Sequence, residues 1–122
     1  MAARPISITV VNNCGTTVKF DNVTHQHGTT PKVKSGSETL TDGAQCVVYA
    51  ENSGLVGPQG SFSFTFQDGS GKAYNFSYNH PYGSGETYVN VNDPKGYTDK
   101  MTENHLAHHD AYCTIELQQL AS

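Results

Sequence analysis

The sequence predicts an all-β domain, a two-sheet antiparallel sandwich or barrel of about eight short strands. Three observations predict it. Period-two alternation recurs along the chain, above all in residues 61–66 and 72–78, where every second residue is aromatic. Glycine is abundant at 12, and most glycines fall between the alternating runs, where turns belong. Hydrophobic residues are only 35% but are concentrated in those runs, as suits strands that give half their side chains to solvent.

Ile6, Ile8 and Val10 alternate with polar residues and read as the first strand. Asn12-Asn13-Cys14-Gly15 reads as a turn, after which Thr17-Val18-Lys19-Phe20 completes a hairpin with Val18 and Phe20 inward. Residues 21–37 are polar, punctuated by Gly28, Pro31 and Gly36, and read as a long irregular excursion. Glu38-Thr39-Leu40 reads as a short edge strand, and Thr41-Asp42-Gly43 as a turn. In residues 45–50 Cys46, Val47, Val48 and Tyr49 are consecutive, a pattern that fits a strand covered on both faces.

Residues 52–60 form a Gly-rich loop that carries an apolar pair, Leu55 and Val56. The aromatic hairpin follows: Phe62, Phe64 and Phe66 share one face of its first strand, and Tyr74, Phe76 and Tyr78 one face of its second. Gln67-Asp68-Gly69-Ser70-Gly71 joins them, since Asp-Gly takes positive φ cheaply. A turn from Asn79 to Gly85 then directs an imidazole, His80, and a ring, Tyr82, toward solvent or a partner. Residues 86–91 read as a strand with Tyr88 on one face and Val89 and Val91 on the other, and Asn92-Asp93-Pro94-Lys95-Gly96 as a turn. Residues 97–110 lack apolar periodicity and read as loop. Residues 111–117 close the chain as a strand with Cys113, Ile115 and Leu117 on one face.

A length of 122 residues suits one domain, spanning residues 1–122, long enough to bury a core unaided. The formal charge is -4, and basic residues do not cluster, which argues against nucleic acid and against anionic membranes as partners. Met1-Ala2-Ala3-Arg4-Pro5 has no apolar core of a signal peptide, so the expected location is the cytoplasm of the producing cell. The sequons at Asn22 and Asn75 then read as chance matches. Cys14, Cys46 and Cys113 fit no zinc spacing and read as reduced thiols, Cys46 and Cys113 packing as small hydrophobes.

Six histidines are many for this length. His25 and His27 are two apart, and His105, His108 and His109 cluster near Asp110. Imidazole with carboxylate suits zinc or copper, and imidazoles also gain charge near pH 6, so these five are candidates for a metal site or a pH sensor. Both groups fall in segments that read as loop, where histidine is commonly just solvated. Nucleotide-binding fingerprints and G-x-S-x-G are absent, no cofactor is expected, and no catalytic residue is assigned. Recognition remains. Tyr78, His80 and Tyr82 surround a Pro-Gly turn, and rings with a wet edge suit membrane interfaces and sugar faces.

Four stretches resemble the aegerolysins, small β-sandwich proteins of fungi and bacteria. They are Val11-Asn12-Asn13, Tyr49-Ala50-Glu51-Asn52-Ser53-Gly54, Gly57-Pro58-Gln59-Gly60-Ser61-Phe62 and Phe76-Ser77-Tyr78-Asn79-His80-Pro81-Tyr82-Gly83-Ser84. The last matches the family pattern of aromatic, Asn or Asp, any residue, Pro, aromatic, Gly, Ser. The likeness is closest to the bacterial branch, the small components of binary insecticidal toxins. It implies a two-sheet sandwich related in shape to pore-forming cytolysins. It implies binding to membrane lipid or a cell-surface receptor, together with a larger pore-forming partner, perforin-like in fungi and of another type in the bacterial toxins. The contact residues would be Tyr78, Asn79, His80, Pro81, Tyr82, Gly83 and Ser84, with Leu55 and Val56. The chain has no Trp, whereas fungal members use several; Tyr78 and Tyr82 stand at the matching positions, so an interfacial contact is implied but not sphingolipid specificity. A carbohydrate-binding sandwich and a His-rich metal-binding protein are the alternative readings.

Overall fold

The computed structural model of the chain describes residues 4–83 and 85–121. Among them run ten strands: β1 (Ile6–Asn13), β2 (Val18–His27), β3 (Lys32–Ser35), β4 (Thr39–Leu40), β5 (Gln45–Ala50), β6 (Gln59–Phe66), β7 (Ala73–Asn79), β8 (Tyr88–Asn92), β9 (Tyr97–His105) and β10 (Ala111–Gln119). They make two five-stranded sheets, ordered β3-β5-β1-β10-β9 and β4-β2-β6-β7-β8. The all-β two-sheet sandwich expected from the alternation is the observed architecture.

The core lies between the sheets, and the alternating runs supply it. Ile6, Ile8 and Val10 from β1 and Cys113, Ile115 and Leu117 from β10 line one side; Val18, Phe20 and the six rings of the β6–β7 hairpin line the other. Phe62 lies opposite Phe76 in the hairpin register, and their rings stack at 4.8 Å. Phe20 joins them at 5.4 Å from Phe62. The hydroxyl of buried Tyr74 donates to the carbonyl of Gln118 at 2.8 Å, tying the hairpin to β10 across the core.

Several segments differ from the sequence-based expectation. β1 and β2 do not form a hairpin: β1 pairs with β5 and β10, β2 with β4 and β6, so the turn after Asn13 carries the chain from one sheet to the other. Turn residues read the same in a hairpin and in a corner between layers; the choice depends on which strands cover each edge. Buried Asn12 holds the corner, donating from Nδ2 to the carbonyls of Thr16 (2.7 Å) and Leu40 (2.9 Å) and accepting from the amide of Cys14 (3.1 Å).

The polar excursion of 21–37 is mostly strand. β2 continues to His27 along β6, with register shifts around Asn22, whose φ of 52° is the bend, and β3 pairs with β5. These strands give the core only Val23 and Val33, each partly buried, so period-two hydrophobicity never develops, although the ladder hydrogen bonds do. Residues 97–105, expected as loop, form edge strand β9 on β10, where only Tyr97 and Met101 pack against the core and no alternating apolar face results. β5 buries Cys46, Val48 and Ala50 on one face only; on the other, Tyr49 is half-buried beneath the Lys34 ammonium, 4.3 Å from its ring centre. The sheets are antiparallel except at their centre, where β1 and β10 run parallel from Ile6 opposite Ala111 to Asn13 opposite Gln118.

That parallel pair decides where the loops meet. β1 and β10 begin at the end where β2, β5, β7 and β9 finish and β6 and β8 begin. Arg4, loop 51–58, the turn after Asn79 and turn 106–110 therefore gather at one end of the sandwich.

Candidate functional site: the loop end of the sandwich

Loop 51–58 doubles back on itself. The Ser53 amide donates to the carbonyl of Val56 at 3.0 Å and the Val56 amide to that of Ser53 at 3.1 Å, so Gly54 and Leu55 form the tip of a two-residue turn. Asn52 Nδ2 braces the turn by donating to the Gly54 carbonyl at 2.8 Å. Leu55 is 71% exposed and Val56 47%. The sequence-predicted apolar pair thus stands in solvent on a braced support.

The neighbouring turn is locked to this loop by a close approach. A Cβ on Gly57 would lie 2.0 Å from the carbonyl oxygen of His80 and 3.0 Å from Cα of Pro81, so only a glycine lets the two backbones touch. The His80 amide donates to the Pro58 carbonyl at 2.9 Å. Arg4 clamps the same pair from the side: its amide donates to Asn52 Oδ1 at 2.8 Å, and its Nε to the Pro81 carbonyl at 2.7 Å. Its guanidinium carbon lies 5.3 Å from the centre of the Tyr82 ring, within cation–π range.

His80 does not face solvent; it is 0% exposed. Its Nε2 is 2.7 Å from the carbonyl of His109 and its Nδ1 2.8 Å from the hydroxyl of Thr87. A carbonyl only accepts, so Nε2 carries the proton, and in the neutral ring Nδ1 accepts from Thr87. Burial lowers the His80 pKa, opposed by the His109 carbonyl and helped by the Arg4 charge. Tyr78 is also core, 1% exposed, packed 6.3 Å from the Phe62 ring, and its hydroxyl has no partner among the described residues. That hydroxyl abuts Gly60, where a Cβ would lie 2.6 Å from it.

The nine candidate contact residues therefore divide. Leu55, Val56 and Gly83 are exposed; Asn79, Pro81 and Tyr82 are half-buried; Tyr78 and His80 are interior; Ser84 lies outside the described residues. The structure brings Leu55, Val56, Asn79, Pro81 and Tyr82 around one open cavity of about 260 Å³, to which Gln59 and His27 add polar edges. A second cavity, about 520 Å³, opens on the far side of Arg4 against Glu86, Thr87, His108 and His109. Arg4 was missed by sequence reasoning. Gly57 stood inside a quoted motif, but nothing in one sequence says which glycine a backbone will touch.

Of the other candidates only His105 and His108 come together, their ring centres 5.7 Å apart. Among the described residues no three His, Cys, Asp or Glu side chains come together as metal ligands. His25 Nδ1 is 3.3 Å from the Thr30 hydroxyl, and a register shift separates it from His27, so the two do not share a regular strand face. His105 stacks on Tyr112 at 4.3 Å and approaches Glu103 at 3.6 Å; His109 approaches Asp110 at 3.4 Å. The three thiols are buried and free; burial pushes Cys46 and Cys113 up to about 12 and raises Cys14.

The fold has counterparts among solved structures. A RahU protein in complex with a TRIS molecule superposes with a TM-score of 0.79 at 20% identity over 98% of this chain and 97% of its own. IP-1A from Alcaligenes faecalis gives 0.68 at 15% identity over 97% and 92%, and the lipid-binding protein Nakanori 0.68 at 10% identity over 99% and 73%. No protein-family model matches the sequence, and no curated protein sequence does. At these identities the likeness is one of fold, and it agrees with a sandwich of aegerolysin type.

Proposed function

We propose that this chain is a non-enzymatic membrane-binding component, of insecticidal binary-toxin type, that acts with a larger pore-forming protein after release from the producing cell. The observation that carries the reading is the Leu55–Val56 tip, exposed and braced beside the Tyr82 rim. Isolated exposed aliphatics are ordinary on a surface, but a fixed pair next to a ring with a wet edge suits the boundary of a bilayer. Moving such side chains out of water is worth about 25 cal/mol per Å². A formal charge of -4 favours neutral lipid or a receptor over anionic lipid. The lipid-binding designation of the similar Nakanori fold supports a lipid surface, and the aegerolysin resemblance supports the pore-forming partner.

Sedimentation with phosphatidylcholine–sphingomyelin vesicles tests the membrane contact. Leu55→Asp and Val56→Asp are expected to lower binding at least about tenfold with an unchanged urea midpoint, since each puts a charge where an aliphatic group would meet the bilayer. Undiminished binding in both would remove the tip from the mechanism. Dye release from insect midgut membrane vesicles, with the chain alone and with an adjacent toxin reading frame's product, tests the partner. A second reading has its own observation: a cavity of about 260 Å³ with a Tyr82 ring beside Gln59 and Asn79 amides also suits a sugar. A monosaccharide that blocks vesicle binding would favour that lectin reading.

A further inference from the structure

Three separate parts of the loop end meet on one buried residue, His80, one through its amide and two through its ring. The His80 amide reaches loop 51–58 through Pro58, its Nε2 reaches turn 106–110 through the His109 carbonyl, and its Nδ1 reaches Thr87 before β8. The residue after it, Pro81, takes the Arg4 Nε hydrogen bond and lines the cavity beside Leu55 and Val56. The neutral ring thus closes a bolt between the apolar rim and the body of the sandwich.

We infer that protonation of His80 opens this bolt, releasing residues 79–82 from loop 51–58 and turn 106–110 and so presenting Pro81 and Tyr82 with Leu55 and Val56 to a membrane in acid. The inference rests on the membrane-binding reading above and concerns its regulation.

The geometry explains why a proton is poorly held in the closed form. A second ring proton on Nδ1 would meet the Thr87 hydroxyl, which must reverse from donor to acceptor, and the new charge would be sealed from water. Among the described residues no carboxylate bonds the ring. Of the charged groups around it, Arg4 on the N-terminal side and His109 on turn 106–110 oppose the charge, and Asp110 on that turn favours it. Glu86, adjoining Thr87, and His108 lie on the neighbouring cavity, while the contacting residues of loop 51–58, Gly57 and Pro58, are uncharged. Burial lowers the folded pKa below the ordinary value, so the sign is fixed. The closed form is fully favoured above about pH 6.5, the free imidazole value, and loses ground as pH falls through the folded value.

Vesicle sedimentation with phosphatidylcholine–sphingomyelin, which carries no net charge, tests this at pH 7.5 and 5.0. The wild type is expected to bind more at pH 5.0 than at pH 7.5, since protonation disfavours the closed form. His80→Gln, which keeps a donor and an acceptor but cannot take the proton, is expected to bind equally at both. Equal wild-type binding at the two pH values, or the same rise in His80→Gln, would overturn the inference. Amide exchange on the wild type covers a variant that fails to fold. The His80 amide should lose protection with the same midpoint as the ring's NMR titration, and unchanged protection at pH 5.0 would sink the bolt. Should the chain bind no vesicles at any pH, the membrane reading fails, while amide exchange still decides this one.

Discussion

Tyr78 and His80 stand two residues apart at the end of β7, and both turn inward. For a strand leaving the core this is the expected parity, since every second side chain faces the same side. The run Tyr74, Phe76, Tyr78 continues to His80, and a strand reading extended by one step would have placed the imidazole inside. What hid it was the proline after it, which reads as a surface turn. Removing Tyr78 therefore tests folding rather than docking. Its hydroxyl is buried without a partner among the described residues, and such a group costs stability. Tyr78→Phe should leave the urea midpoint unchanged or raise stability by about 1 kcal/mol. A loss of about 1 kcal/mol or more would show that the hydroxyl is satisfied in solution. Gly57 makes the opposite point: its tolerance for the His80 carbonyl is invisible in its own neighbours and appears only when two loops are seen together.

Elements with one dry face were legible, and elements without one were not. β1, β6, β7, β8 and β10 alternate because the core covers one side of each, and they fall within the alternating runs, whereas in β5 the consecutive Cys46, Val47, Val48 and Tyr49 hid which face is dry. The far half of β2, together with β3 and β9, is held by ladder hydrogen bonds along edges or beyond the core, and those bonds leave no mark on side-chain pattern. The turn between β8 and β9 was read correctly from Asn92-Asp93-Pro94-Lys95-Gly96, and Tyr97 donates back to the Pro94 carbonyl at 3.1 Å. It holds a further consequence. Partial burial of the Asp93 carboxyl, then the hydrogen bond and charge of Asp99, push its pKa up to about 7. The raised value lies above the unfolded one of about 3.9, so the fold favours the protonated form. Its stabilising contribution is complete below about pH 4 and gone once pH rises past about 7. Urea midpoints should therefore fall between pH 4 and 7.5 less in Asp93→Asn than in the wild type. Identical profiles would show that the carboxyl titrates normally.

At the scale of the whole molecule, two sheets close over one cluster of buried apolar residues that includes all three cysteines. Their thiols are held protonated by burial and carry no contact with solvent. Since the thiolate is the reactive form, a chromogenic disulfide reagent should leave the native protein unmodified over hours at pH 8 and label three thiols once urea unfolds it. Rapid labelling of the native chain would contradict the buried assignment. The same closure puts the parallel β1–β10 pair at the centre of its sheet, and hence Arg4 beside Tyr82 and beside Pro81, which is 77 residues away in the chain.

By itself the amino-acid sequence determined the all-β class, the aromatic hairpin, the inward faces and the exposed Leu55–Val56 tip. Each of these is local, set by side-chain parity and by turn residues a few positions apart. Only the tertiary structure decided that β1 and β2 belong to different sheets, that β1 runs parallel to β10, and that the His80 ring is buried rather than turned to solvent. Those outcomes depend on which surfaces are buried against one another. Burial is a property of the assembled layers, and residues far apart in the chain settle it jointly.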